Sequence, residues 1–402
     1  MGLHDTVSAE RFHIGFFGMR NAGKSSVVNA VTGQDLAVVS DVKGTTTDPV
    51  KKAMELLPLG PVVIIDTPGL DDEGDLGELR VKKAKQILAQ TDIAVLVVDA
   101  VKGLDTIDRE LIALFEAKKL PYIVAYNKAD LLAERAALND HEIYISAVTK
   151  ENITQLKEKI GAFAKGIENT KYIVANLLSP GDMAVLVIPI DESAPKGRLI
   201  LPQQQTIREI LDAHCAFTAC QHTELKETLA ALAVKPKLVI TDSQAFEAVS
   251  KDTPDDVMLT SFSILFARYK GDLRTLVQGA AQLSRLRSGD KVLISEGCTH
   301  HRQCNDIGTV KMPGWIEKFS GVKPEFYFTS GTEFPDDPSE YALIVHCGGC
   351  MLNEKEMKHR INKAAAAGVP IVNYGIAIAQ MHGILERSLQ PFPDMLRLLK
   401  DQ

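Results

Sequence analysis

The chain is 402 residues long, 45% hydrophobic and 24% charged, with a net charge of -7 and six cysteines. This length exceeds what one hydrophobic core serves, no apolar run reaches the ~20 residues of a membrane helix, and the acidic balance excludes a grip on phosphate backbones by bulk electrostatics. Three domains are expected, at 1–168, 169–268 and 269–402, with neither nucleic acid nor membrane as a partner. Met1 to His13 shows no basic stretch followed by an apolar core, so the expected location is cytoplasmic and the cysteines read as metal ligands or buried thiols rather than a disulfide framework.

His13 to Phe17 is a short apolar run, followed by Gly18-Met-Arg-Asn21-Ala-Gly23-Lys24-Ser25-Ser26 and the apolar-periodic Val27, Val28, Ala30 and Val31. Strand, glycine-rich loop and helix in that order make a phosphate loop. The backbone around Gly18, Asn21, Gly23 and Ser26 wraps the phosphates, Lys24 reaches the β and γ oxygens, and the Ser25 hydroxyl is placed to ligate Mg2+. Val62 to Ile65 is a buried-strand run ending in Asp66-Thr-Pro-Gly69. Asp66 can hold the Mg2+ shell and the Gly69 amide can sense the γ-phosphate. Between these motifs lies Gly44-Thr45-Thr46-Thr47-Asp48, where Thr46, with Thr45 in reserve, is the switch residue that ligates Mg2+ only with a triphosphate bound.

Ile93 to Val98 is a further strand run, and Tyr122 to Tyr126 leads into Asn127-Lys128-Ala-Asp130, which resembles the base-reading motif of guanine-selective switches. A carboxylate there accepts two hydrogen bonds from the guanine edge that adenine cannot donate. Ile143-Tyr-Ile145 delivers Ser146-Ala147, where a backbone N–H can reach the base oxygen. Four motifs at successive strand ends define a doubly wound, mostly parallel P-loop domain that hydrolyses GTP to GDP. Leu70 follows Gly69 where Ras-like proteins keep a water-orienting glutamine, so slow intrinsic hydrolysis is expected, and Asp71, Asp72 and Glu73 read as a solvated acidic loop. Gly44, Thr45, Thr46 and Asn21 together resemble the tRNA-modification and ribosome-assembly branch of GTPases. That resemblance implies a K+ ion at Asn21 in place of an arginine finger, and K+-stimulated hydrolysis.

The middle segment carries strand-like runs at Ala184 to Ile190 and Lys237 to Ile240, and helical stretches at Gln203 to Ala213 and Glu224 to Leu232. A small α/β interaction module is expected, without catalytic groups. Cys215 and Cys220, placed on a helix, would point about 140° apart, so they read as buried thiols.

The last third alternates again, with a helix over Leu273 to Leu286, strands at Lys291 to Ser295, Glu325 to Thr329 and Tyr341 to Val345, a helix over Glu354 to Ala367, and a strand at Pro370 to Asn373. The first and third strands run into Cys298-Thr-His300 and His346-Cys347-Gly-Gly-Cys350. Strand-end geometry can bring the three cysteines together, and the two glycines let the backbone turn tightly between the last two. Zinc completed by His300 or His346 and a [4Fe-4S] cluster with an exchangeable fourth position both fit this spacing. Cys304 is a spare thiol near them.

Phosphate loop, base motif, Cys-x-His and His-Cys-x-x-Cys, taken over the whole chain, resemble the HydF-type [FeFe]-hydrogenase maturation GTPases. The resemblance implies a GTPase domain, a middle dimerisation domain and a C-terminal cluster-binding domain. It implies a [4Fe-4S] cluster on Cys298, Cys347 and Cys350, with His300, His346, Glu296, Asp306 or an exogenous group at the fourth iron. It further implies a homodimeric scaffold that takes a diiron precursor from radical-SAM maturation enzymes and delivers it to apo-[FeFe]-hydrogenase. The alternative is a GTPase with a structural zinc domain acting in ribosome or tRNA maturation.

Overall fold

Runs such as Ile93–Asp99 and Leu343–His346 are apolar along their length because both faces of a parallel sheet are covered. The computed structural model describes residues 11–33, 50–56, 60–67, 87–165, 171–190, 197, 199–297, 307–331, 333–349 and 352–400. Thr45, Thr46, Gly69, Cys298, His300, Cys304, Asp306 and Cys350 lie outside the described residues.

The chain divides into two compact units, at 1–169 and 170–402. In the first, β1 (Phe12–Phe17), β2 (Val50–Leu56), β3 (Gly60–Asp66), β4 (Ile93–Asp99), β5 (Tyr122–Asn127) and β6 (Glu142–Tyr144) form one sheet in the order β2-β3-β1-β4-β5-β6. All neighbours are parallel except β2, which runs antiparallel to β3. This edge strand carries exposed Lys51, Lys52 and Glu55, charges that blunt an open edge. The helix Lys24–Thr32 leaves the end of β1 with Val27, Val28 and Val31 buried against the sheet. The helix Thr106–Ala117 starts in a reciprocal cap between Asp105 and Asp108 and buries Leu111 and Phe115 on the opposite core.

The second unit holds two four-stranded parallel sheets. β7 (Met183–Val187), β8 (Ala216–Cys220), β9 (Leu238–Thr241) and β10 (Met258–Ser261) are ordered β10-β9-β7-β8, and β11 (Lys291–Ser295), β12 (Glu325–Thr329), β13 (Leu343–His346) and β14 (Ile371–Asn373) are ordered β12-β11-β13-β14. Val185 and Ile240 of one sheet belong to the same buried cluster as Ile294 and Val345 of the other. The expected division at 268/269 therefore falls inside one core, and inside the helix Phe262–Lys270. Two details of the expected secondary structure are corrected. Cys220 ends strand β8, with Cys215 just before it, because Ala216 to Ala219 pairs with β7. The helix from Leu273 stops at Ala280 and tightens into a 3-10 segment to Arg285. Among the described residues no helix is long and apolar enough to cross a membrane.

Candidate functional site

The carboxyl ends of β1, β3, β4 and β5 converge in the first unit, at the point where the strand order reverses about β1. Lys24 is buried at the start of its helix, and its ammonium lies 3.3 Å from Asp66 Oδ1. Ser25 donates its hydroxyl to Asp66 Oδ2 at 3.3 Å. Asp66 Oδ1 is buried without a hydrogen bond. A hydroxyl beside a buried carboxylate suits a hard divalent cation, which takes oxygen ligands. Thr67, 1% exposed, donates its hydroxyl to the Phe16 carbonyl at 2.7 Å and ties the chain after β3 to the end of β1.

Asn127 sits between the phosphate loop and the base-reading side. Its Nδ2 donates to the Ala22 carbonyl at 2.9 Å, and its Oδ1 accepts the Ala147 amide at 3.0 Å. Gly23 makes this approach possible. At φ +84° it occupies the left-handed region, and a Cβ there would stand 2.3 Å from Asn127 Nδ2. Asn21 also adopts positive φ, at 62°, and is exposed, as is Asp130. Lys128 donates to Asp99 Oδ2 at 2.6 Å. Burial, the largest single influence, would raise the Asp99 carboxyl, but the Lys128 hydrogen bond and charge together with the Val101 and Lys102 amides outweigh it and hold the group below its ordinary range. The amides expected at the base oxygen are used internally here, Ser146 N–H by the Glu151 carbonyl at 3.1 Å and Ala147 N–H by Asn127. Arg135 clamps Glu151 and stacks over Tyr144, which fixes the loop from below. Thr67, Asp99 and the Arg135–Glu151 pair were not singled out from the sequence. Only the position of Asp99 at a strand end could have signalled one of them.

In the second unit β11 and β13 are parallel neighbours with Ser295 opposite His346. The register carries beyond the strands, for Cys347 N–H donates to the Ser295 carbonyl at 2.9 Å. Gly297 N–H then donates to Cys347 Sγ at 3.0 Å, and Gly349 N–H approaches the same sulfur at 3.4 Å. Backbone donors aimed at sulfur suit a thiolate that ligates a metal or cluster. Gly349 turns the chain at φ +62°, and a Cβ there would meet Met357 Sδ at 2.5 Å. His346 is wholly buried, and both ring nitrogens are used: Nδ1–H donates to the Cys347 carbonyl at 2.7 Å, and Nε2 accepts from Arg360 at 3.1 Å. Burial, with Arg360 beside it, pushes its pKa down to about 3, so the ring is neutral. Of the two roles expected for His346, ligand or neighbour, these bonds accommodate the neighbour. Glu296 is buried and accepts from the Tyr374 hydroxyl at 3.4 Å. Among the described residues no three His, Cys, Asp or Glu side chains form a metal site. Cys215 is buried, its thiol donating to the Ser179 carbonyl at 3.1 Å, and burial raises the pKa of the half-buried Cys220 thiol. Both behave as structural thiols.

A phosphate loop on a doubly wound sheet, with a lysine, serine and aspartate grouped at its strand ends, defines a P-loop GTPase. Residues 13–128 match the 50S ribosome-binding GTPase family. Residues 173–271 match the hydrogen maturase F dimerization domain and residues 274–391 its tetramerization domain. These last two cover more than half of the chain, which belongs to the hydrogen maturase F family. Curated relatives include the tRNA modification GTPase MnmE of Chromobacterium violaceum, 36% identical over 159 residues, and that of Clostridioides difficile, 34% identical over 170 residues. They match 38% and 40% of this chain, which spans only 35% and 36% of their own lengths. Among solved structures, Aquifex aeolicus Era is similar at 20% identity and TM-score 0.35, over 59% of this chain and 97% of that one. The G domain of the T. maritima FeoB iron transporter is similar at 25% identity and TM-score 0.30, over 39% and 99%.

Proposed function

We propose that this GTPase is a scaffold and carrier in [FeFe]-hydrogenase maturation: it holds a [4Fe-4S] cluster on Cys298, Cys347 and Cys350, takes a diiron precursor as cargo from radical-SAM maturation enzymes, and delivers it to apo-[FeFe]-hydrogenase. The observation that carries this reading is the Gly297 amide on Cys347 Sγ, because it closes the two cysteine-bearing strand ends onto one sulfur. When bound, the cluster supplies an iron position open to an exchangeable ligand. His300, Asp306, or Glu296 from its buried position, is left as a protein ligand there, with an exogenous group as the other choice. Cys304 keeps its role as a spare thiol.

On the nucleotide side, Lys24, Ser25, Ser26 and the amides from Gly18 to Gly23 bind the phosphates of GTP or GDP. Ser25 and Thr46 ligate Mg2+ with Asp66 behind them, and Gly69 meets the γ-phosphate. Asn127, Lys128 and Asp130 select guanine, and Ser146-Ala147 closes the base pocket. Asn21, exposed and left-handed, holds the K+ that stimulates hydrolysis. The three-part division at 1–168, 169–268 and 269–402 becomes a functional one on this reading. Among the described residues β8 and β12 are open sheet edges, and with the two matched oligomerisation domains they support self-association of a cytoplasmic homodimer and higher assembly.

The test is anaerobic reconstitution with iron and sulfide, followed by EPR of the reduced protein for wild type and for Cys298→Ala, Cys347→Ala and Cys350→Ala. A cubane signal lost in each variant and perturbed by imidazole in wild type is expected. Stoichiometric zinc with no cluster would overturn the proposal and favour a structural metal domain.

A further inference from the structure

Arg360, in the helix Glu354–Ala366, has no exposed surface. A fully buried arginine is costly unless its donors are met, and those of this one are met by Glu356 on its own helix, by Gly331 beyond β12, and by His346 and Ser295 at the strand ends that carry the cysteine motifs. Nε donates to Glu356 Oε1 at 2.9 Å. Nη1 donates to His346 Nε2 at 3.1 Å and reaches Ser295 Oγ at 3.4 Å. Nη2 donates to the Gly331 carbonyl at 2.7 Å, and the guanidinium stacks 5.3 Å from the centre of the Phe334 ring.

These bonds link three strands. Ser295 closes β11, His346 closes β13, and Thr329, which closes β12, donates its hydroxyl to Ser295 Oγ at 3.0 Å. From His346 the chain of bonds continues through Nδ1–H to the Cys347 carbonyl, while the Cys347 amide returns to the Ser295 carbonyl. Arg360 thus fixes both backbone groups of Cys347, one directly through His346 and the other through the Ser295 strand end. Lysine could keep the charge but not the fork, since its ammonium is a compact point donor.

We propose that Arg360 is the positioning residue of the cysteine pole: its planar fork holds β11 and β13 in the register that delivers the Gly297 amide to Cys347 Sγ. This rests on the proposed cluster-binding reading for its purpose, though not for its geometry. Outer groups that orient metal ligands affect metal retention by about 10- to 100-fold.

The experiment uses the full chain as Arg360→Lys, Ser295→Ala, His346→Gln and the Arg360→Lys/His346→Gln double variant. Hydrogen exchange of the apo protein is followed over 292–297 and 343–349, with 238–241 as an internal reference in the same unit. Anaerobic iron and sulfide loading is followed in parallel. In Arg360→Lys, exchange at both strand ends is expected to rise about tenfold with the reference unchanged, iron retention to fall about 10- to 100-fold, and GTP hydrolysis to persist. The double variant is expected to lose no more than the worse single one, because both act through one chain of bonds. Unchanged exchange and loading in Arg360→Lys would overturn the proposal, as would exchange raised equally across the unit, which marks a general core clamp. Ser295→Ala and His346→Gln keep the test decisive if Arg360→Lys does not fold. A wild-type chain that loads no cluster, with strand-end exchange still sensitive to Arg360, would retire the proposed function and leave the positioning role standing.

Discussion

Asn127→Ala separates base recognition from loop coupling. Asn127 is 3% exposed and joins the Ala22 carbonyl to the Ala147 amide. Truncation leaves one acceptor and one donor without their partner, and each such orphan costs about 1–3 kcal/mol. Partial access of water at Ala147 brings the total to about 2–4 kcal/mol. Because the two groups belong to the loops on either side of the nucleotide, most of that loss falls on binding, which predicts GDP affinity lowered about 30- to 1,000-fold. Titration of a fluorescent GDP analogue at fixed Mg2+ and K+, with thermal unfolding of the same full-length samples, measures both shares. Affinity within threefold of wild type, in a variant that unfolds normally, would refute the coupling. Asp130→Ala is the control, for it removes the expected guanine contact without touching this bridge.

Asp66→Asn keeps the shape beside Lys24 and Ser25 but removes the charge, so GTP hydrolysis is expected to fall at least about 100-fold while GDP binding survives; steady-state phosphate release across a Mg2+ titration checks this. Burial raises the Asp108 carboxyl to about 6. A folded pKa above the unfolded one means the native state binds the proton first, so this group favours folding at low pH and opposes it increasingly from about pH 4 to pH 6. Two units at about 1.4 kcal/mol each set a ceiling near 3 kcal/mol, cut to about 1–2 kcal/mol by solvent screening. Chemical denaturation of Asp108→Asn against wild type should show that difference growing over this window and then levelling off. At the open edges, the Ala216 amide already bonds to the Asp182 carbonyl, so strand alternation turns the Ala219 amide outward. Ala219→Pro is expected to weaken dimers at least tenfold, and Phe328→Lys, at a side chain 40% exposed on β12, to block larger assemblies; light scattering across a dilution series reads both.

Much of the architecture was readable because buried parallel strands leave continuous apolar runs. Lys291 to Ser295 and Glu325 to Thr329 are strands over the very spans expected. β2 escaped because Lys-Lys-Ala-Met-Glu has no apolar run, and an edge strand needs none. Cys215 and Cys220 were weighed on a helix because Ala216 to Ala219 carries little periodicity, and pairing with β7 decides the matter through long-range contact. The same holds at the sites. Lys24, Asp66 and Asn127 announce themselves through motif spacing, while Arg360 looks like any helix-surface arginine in Glu-x-x-x-Arg. Its burial comes from the strand ends at 295 and 346 and the turn at 331, a convergence that local sequence does not encode.

The hydrogen bond from Gly297 to Cys347 spans 50 residues and joins strands that are parallel. No local turn can make that contact early. The chain must complete β12, its crossovers and β13 before the sulfur meets its amide, and such non-local pairing forms slowly. During synthesis the motif at 298–300 emerges well ahead of its counterpart at 346–350. On the cluster reading proposed above, the order of events built into this topology is to finish the sheet first and load metal afterwards, so that acquisition of iron would report on a completed fold.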